Sequence, residues 1–288
     1  MKVAGFTIIR NAIQYDFPVV ESISSILSIC DEFVVAVGKS DDDTLNLIKS
    51  IDSNKIKIIE TVWDDSLKGE QGVVFAKETD KAFKAISPEM DWAFYIQSDE
   101  LVHEKYLPTI QQAMKAWKDD KSVDGLLFKY KHFYGNYNYY GASYKWYRNE
   151  IRIVKNTTTI YSYKDAQSFR KDENQKLNVK LIDAEIYHYG YVREPKKLAK
   201  KIEVQHSFHD KTILEMEEFI YEDNVSALYE FKGTHPLVIK DRIERMNWDF
   251  DVKKIQNRLS LKDIFKKTIE KITGGYIVGA FRNYKLLK

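Results

Sequence analysis

Trp92-Ala93-Phe94-Tyr95-Ile96-Gln97-Ser98-Asp99-Glu100 decides how this chain is read. Five apolar or aromatic residues in succession form a short, β-prone run that suits a strand buried on both faces. The run ends in polar and acidic side chains. In an open α/β sheet, ligands bind beyond the carboxyl ends of the strands, which would place Asp99 and Glu100 at the rim of a crevice. The alternative is local: Ser98 and Asp99 are both good N-cap residues and could simply start the next helix.

Upstream of this run, strand and helix patterns alternate. Val3 to Ile9 reads as a strand, and Pro18 opens a helix with Val19, Ile23, Ile26 and Leu27 at helical spacing. Phe33 to Val37 is a second strand, followed by Gly38-Lys39-Ser40-Asp41-Asp42-Asp43-Thr44 and a short helix. Lys55 to Val62 is a third strand, Gly72 to Ile86 suits a helix, and Tyr106, Leu107, Ile110, Met114 and Trp117 mark another after the Trp92 run. Four such alternations predict a mostly parallel sheet with helices on both faces. From Asp124 the segments lengthen. Gly125 to His132, Glu150 to Val154, Thr159 to Tyr163 and Lys180 to Tyr189 are expected to add mixed or antiparallel strands to the same sheet. After Pro195 the pattern is helical to about residue 272, dividing the chain into an α/β part over 1–192 and a helical C-terminal extension over 193–288.

Composition narrows the class. The chain has 288 residues, 44% of them hydrophobic, so it is large enough for a sizeable core. Cys30 stands alone, which excludes an intramolecular disulfide, and Met1 to Phe6 lacks a signal-peptide run; both point to the cytoplasm. No apolar run approaches a membrane span. Residues 253–288 carry ten Lys or Arg against two acidic residues, and Leu261, Ile264, Phe265, Ile269 and Ile272 form a stripe flanked by lysines. That stretch reads either as a peripheral membrane-surface helix or as a terminal helix packed on the domain. Nucleic acid is not an expected partner, because the basic residues concentrate in the tail, away from the aromatic run.

Glycine-rich dinucleotide and phosphate loops are missing, and the loop after the second strand carries three aspartates. Asp42 there could accept hydrogen bonds from a ribose or base, while Asp43 or Thr44 could cap the following helix. Asp99 suits a hard divalent cation such as Mg2+ or Mn2+, which is often held by one or two carboxylates plus substrate phosphates. Strand alternation puts His188 on the apolar side with Ala184 and Ile186, where it is either a core histidine or a second ligand. His206, His209 and Asp210 read as a surface helix face.

The order of these segments, with Gly38 to Thr44 and Tyr95 to Glu100 in their places, resembles the family 2 glycosyltransferases of the GT-A fold over about the first 190 residues. The resemblance implies a nucleotide-diphospho-sugar donor and a divalent metal, with a glycan or lipid-linked hydroxyl acceptor. Asp42 matches the aspartate of the family's Gly-Ser-x-Asp-x-Thr-like loop. Asp99 matches the last aspartate of its Asp-x-Asp motif, and His188 resembles a late metal-binding histidine. The donor set is then Thr7, Arg10, Asn11, Ser40, Asp42, Lys77, Asp80, Gln97 and Ser98, with Asp99 and His188 on the metal. Three departures stand out: Gln97 replaces the first motif aspartate, Val37-Gly38 replaces an acidic pair, and the usual Glu-Asp catalytic pair is absent. Displacement at a sugar carbon needs a carboxylate to take the acceptor proton. Asp165 is the first candidate, with Glu150 and Asp183 in reserve. The aromatic run His132 to Gly141, with Tyr144, Trp146 and Tyr147, is expected to bind the acceptor or to form an ordinary half-buried strand. A nucleotidyltransferase lacks its glycine-rich loop here; a catalytically inactive carbohydrate-binding or scaffold protein is the other reading.

Overall fold

The computed structural model describes residues 1–210, 215–221, 225, 227–255, 258–272 and 282–288. Its first half is built from β1 (Val3–Ile9), α1 (Val19–Leu27), β2 (Glu32–Gly38), α2 (Thr44–Lys49), β3 (Ile56–Thr61), α3 (Val73–Lys84) and β4 (Trp92–Tyr95). The four strands run parallel in the spatial order β3-β2-β1-β4, with Thr7 opposite Val35 and Phe6 opposite Tyr95. All four residues of β4 are buried, as expected of a strand covered on both faces.

Alternation along β2 shows how the two layers form. Phe33 and Val35 point into the core shared with Val19, Ile23 and Ile26 of α1, while Val34 and Ala36 pack with Ala82 and Phe83 of α3. Trp92 ties its layer further, its indole Nε1–H donating to the Met114 carbonyl at 3.1 Å.

Beyond β4 the chain makes β5 (Glu100–Val102), α4 (Leu107–Trp117), β6 (Gly125–Tyr134), β7 (Asn136–Gly141) and β8 (Asn149–Lys155). Ser98 and Asp99 therefore lead into a strand and cap no helix. β8 slots antiparallel between β4 and β6, so the sheet is mixed from this point. β12 (Asn178–Tyr191) runs parallel to β6 on its other side. Between them in sequence, β9 (Ile160–Tyr163), β10 (Ser168–Lys171) and β11 (Gln175–Lys176) form a separate three-stranded sheet. The segment from Thr159 to Tyr163 thus does not join the main sheet. Its hairpin folds back on itself and packs Phe169 against Phe6, Phe83 and Tyr95.

After β12 come α5 (Pro195–Asp210), β13 (Leu228–Glu230), α6 (Lys240–Glu244), α7 (Leu261–Ile272) and β14 (Lys285–Leu286). This stretch is less helical than its pattern suggests: α6 is only 5 residues long. β13 pairs with β7 and β14 with β12, both in the main sheet. Residues 256–257 and 273–281 of the basic tail lie outside the described residues. Among those described, no helix is long and apolar enough to cross a membrane.

Candidate functional site

The carboxyl ends of β1 and β4, the turn after β9 and one face of α5 enclose a cleft of about 610 Å³. Asp99 lies at its floor, 6% exposed. Its backbone carbonyl accepts from the Tyr189 N–H at 2.8 Å, which fixes the end of β4's run against β12. Lys201 Nζ donates to Asp99 Oδ2 at 3.0 Å and to the Gly190 carbonyl at 3.0 Å. Arg193 stands 3.6 Å from the same oxygen, and His188 Nε2 is 3.6 Å from Oδ1. Burial pushes the Asp99 carboxyl up, but Lys201, His188 and Arg193 together outweigh it and hold the group well below the usual carboxylate range. Lys201 itself is pushed down to about 8 by burial, with Asp99 opposing. At neutral pH the corner therefore holds one carboxylate and two cations, a surplus of positive charge that suits a phosphate.

His188 and His132 face each other, with Nδ1 atoms 2.9 Å apart. Burial lowers His188 to about 4 and His132 to about 3, so both rings are neutral at neutral pH. Gly190 matters here because a Cβ at that position would lie 2.6 Å from His188 Nε2. Only glycine leaves that side of the nitrogen open.

Asp165 enters the cleft from the β9–β10 turn. Its neighbours Lys164 and Ala166 have φ of 55° and 61°, a conformation non-glycine residues adopt at a cost and here used to make the tight β9–β10 turn. Gly72, at φ 76°, makes room: a Cβ there would meet the Asp165 Cβ at 2.7 Å. Glu150 is 4% exposed and does not line the cleft. Its Oε1 accepts from Gln167 Nε2 at 2.9 Å, its Oε2 is buried with no hydrogen-bond partner among the described residues, and burial pushes its carboxyl up to about 8. Asp183 sits on the surface, its side chain 90% exposed and 2.8 Å from Lys129 Nζ. The reserve base candidates are thus placed away from the cleft.

Of the residues expected to hold a donor, Arg10, Asn11, Gln97 and Ser98 line the cleft. Asn11, at φ 54°, joins two loops: its N–H donates to Ser40 Oγ at 3.0 Å, and its Oδ1 accepts from the Asp41 N–H at 2.8 Å. Asp42 turns the other way, accepting from the Gln14 N–H at 2.8 Å and the Thr44 N–H at 3.0 Å, and from the Thr44 hydroxyl. Asp42 therefore holds the loop, and it is Asp41 that faces the cleft. Thr7 is fully buried within β1. Lys77 is exposed on α3, and Asp80 accepts from the Ser162 N–H at 2.7 Å, so it fastens α3 to the small sheet. Gln97 donates through Nε2 to the Ala166 carbonyl at 3.4 Å and so bridges β4 to the Asp165 turn.

The aromatic run divides. His132, Trp146 and Tyr147 reach the cleft, whereas Tyr134, Tyr137, Tyr139 and Tyr140 pack into satellite clusters with the C-terminal segment. The Tyr134 hydroxyl, for example, donates to the Tyr221 carbonyl at 2.8 Å. His209, read from sequence as surface, also lines the cleft, and the Phe208 carbonyl accepts from the Gly69 and Gly72 N–H groups at 3.1 Å. Lys201 and Arg193 gave no sequence signal beyond being two of many basic residues. Among the described residues, no cluster of three or more His, Cys, Asp or Glu forms a self-sufficient metal site.

No protein-family model and no curated protein matches the chain. Among solved structures it is similar to S. aureus TarS 1-349, at 16% identity and TM-score 0.40 over 71% of this chain and 64% of that one. The form of TarS 1-349 in complex with UDP is similar at 23% identity and TM-score 0.34, covering 47% of this chain and 37% of that one. Glucosyl-3-phosphoglycerate synthase from Mycobacterium tuberculosis, in complex with Mn2+, UDP and glucosyl-3-phosphoglycerate, is similar at 18% identity and TM-score 0.30, covering 46% and 45%. The chain spans less than two thirds of each of these three.

Proposed function

We propose that this chain is a glycosyltransferase of the family 2 type, moving a sugar from a nucleoside-diphosphate donor to a hydroxyl of a glycan or lipid-linked acceptor. One observation carries the reading: a single cleft is lined by Asp99, His188 and Lys201, with Arg193 buried against Asp99, and by a second carboxylate, Asp165. On this reading, residues 1–192 form the catalytic part and 193–288 an extension that lends it Lys201 and Arg193.

The donor's nucleoside lies along Arg10, Asn11 and Asp41, where linked loops offer both donors and acceptors to hydroxyls. Its diphosphate lies toward Lys201. The residues present fit a divalent cation. Asp99 Oδ1 and His188 Nε2 stand 3.6 Å apart at the cleft, and the missing Cβ of Gly190 keeps the nitrogen accessible. Asp99 and His188 would hold such an ion, with diphosphate oxygens and water supplying the rest of its oxygen shell. Bound there, it supplies positive charge to the departing diphosphate. Asp165 takes the proton of the acceptor hydroxyl as the new carbon–oxygen bond forms and the sugar–phosphate bond breaks. Trp146 and Tyr147 offer aromatic faces to the sugar's C–H patches.

A cytoplasmic enzyme acting on a lipid-linked acceptor needs to meet the membrane surface, and α7 suits that. Leu261 is 86% and Phe265 64% exposed, beside Lys262, Lys266 and Lys271.

The test is binding of UDP, GDP, CDP, dTDP and ADP, each with Mn2+ and with EDTA, by thermal shift on wild type and Asp99→Ala. A ligand that binds only the native state stabilises it by about 2.7 kcal/mol at a hundredfold excess over its Kd. One diphosphate is expected to stabilise wild type with Mn2+ and to lose most of that effect in Asp99→Ala. If no nucleotide moves either protein, the donor reading falls.

A further inference from the structure

The buried histidine pair has a determinate proton arrangement. A carbonyl oxygen can only accept, and the Tyr147 carbonyl lies 2.9 Å from His132 Nε2, so that nitrogen carries a hydrogen. His132 is 3% exposed and stacked against Trp146, with ring centroids 5.1 Å apart and planes at 24°. Its hydrogen-bond partners are that carbonyl and an imidazole, with no carboxylate among them to stabilise a charged ring. A neutral His132 protonated on Nε2 has a lone pair on Nδ1. The 2.9 Å contact between the two Nδ1 atoms needs one hydrogen, which His188 must supply. A proton on His188 Nε2 would be placed to bond Asp99 Oδ1, yet the two atoms stand 3.6 Å apart, beyond hydrogen-bond distance, so the Nε2 nitrogen is left with its lone pair.

We propose that His132 is a positioning residue that fixes His188 in its Nδ1–H tautomer, so that the Nε2 lone pair and Asp99 Oδ1 are presented together to a divalent cation. The chain of control runs from the Tyr147 carbonyl through His132 to His188. Gly190 adds a steric limit, since any side chain there would meet the His188 ring at about the same nitrogen. A metal-binding histidine is commonly oriented by whatever its other nitrogen bonds. Here that partner is a second imidazole, itself oriented by a backbone carbonyl. The role rests on the donor-site reading above, but its first test does not.

That test is long-range 1H–15N NMR of 15N-histidine protein in EDTA, with signals assigned through His188→Gln. Wild type is expected to show His188 as the Nδ1–H form and His132 as the Nε2–H form. A His188 protonated on Nε2 in wild type overturns the proposal without any further variant. His132→Phe keeps a ring but removes the acceptor, and His188 is expected to change tautomer. Mn2+ affinity, followed by EPR with Mn2+ alone, is expected to fall about 10- to 100-fold. His132→Asn, which retains an acceptor oxygen, is expected to keep affinity within a few-fold and covers the case in which the Phe variant does not fold. Unchanged tautomer or unchanged Mn2+ affinity in a folded His132→Phe overturns the role. If nucleotides fail to bind while these results hold, the transferase reading falls and the positioning role stands. If Mn2+-dependent nucleotide binding survives with the His188 tautomer unaltered, the reverse is true.

Discussion

Asp99 and Glu150 are both carboxylates buried to nearly the same degree, 6% and 4% exposed, yet they are held in opposite charge states. Asp99 meets the two cations Lys201 and Arg193 and is held ionised. Glu150 has Arg152 nearby, but that guanidinium is already committed: its Nε and Nη2 donate to the two oxygens of Glu100, each at 2.8 Å. Burial then dominates and Glu150 keeps its proton. Depth alone does not make a carboxylate useful. What separates a charged site from a silent core acid is whether a nearby cation is still available to it.

The largest effect should come from breaking the pair that keeps Arg152 occupied. Arg152 and Glu100 are both fully buried, and Arg152→Met leaves the Glu100 carboxylate without its cation. Losses of this kind run at about 3–5 kcal/mol, measurable by urea unfolding at pH 7. A loss under about 1 kcal/mol would show that Glu100 draws its charge balance from elsewhere.

Glu150→Gln tests the other half. The group's folded value, about 8, lies above its ordinary 4.5. Below pH 4.5 both folded and unfolded chains carry the proton and nothing is lost. As pH rises toward 8, the unfolded chain releases it and the native state does not, so wild-type stability falls. The variant lacks this titration. Its advantage over wild type should be absent in acid and reach about 3 kcal/mol by pH 7, since each unit is worth about 1.4 kcal/mol. A difference that does not vary with pH between 4.5 and 8 would remove the contrast with Asp99.

Lys201→Met weakens the charged corner directly. With Arg193 as the remaining cation beside it, the Asp99 carboxyl should move up toward the ordinary range. Nucleoside diphosphate affinity by calorimetry should drop about tenfold, or about 1.4 kcal/mol. Affinity equal to wild type would mean that the surplus positive charge at this corner is not used by the donor.

The smallest stability effect is expected at α7, where Phe265→Ser alters an exposed side chain and should move stability by less than about 0.5 kcal/mol. Co-sedimentation with vesicles containing anionic lipid should nevertheless fall several-fold, and more so at high salt, where the attraction of the flanking lysines is screened. Equal binding of both proteins would remove the membrane contact.

The fold was largely legible because its signals are local. Short apolar runs bounded by turn residues gave β1 to β4, and helical patterns gave α1, α3 and α4 close to where they lie. The small sheet was not legible, since Lys164, Ala166, Asp172 and Asn174 make its tight turns at positive φ without a glycine to announce them. At the site, a buried strand ending in acid pointed to Asp99, and Asp165 and His188 also line the cleft. Lys201 could not be singled out: Lys196, Lys197, Lys200 and Lys201 look alike in sequence, and only packing decides which one is buried. Asp41 and Asp42 posed the same problem at one-residue resolution. Their roles follow from which of them Gln14 and Thr44 capture.

The Asp99–Lys201 contact spans 102 residues of chain. At a synthesis rate of about 5–20 residues per second, Asp99 leaves the ribosome some 5 to 20 seconds before its ammonium partner exists. During that interval the end of β4 carries a carboxylate whose desolvation has no compensating charge, so the floor of the cleft stays wet while the rest of the parallel strands can already assemble. The Asp99 corner is accordingly later to close than the parallel strands beside it, and a nascent chain halted before Arg193 should hold β1 to β4 assembled with an open, hydrated end.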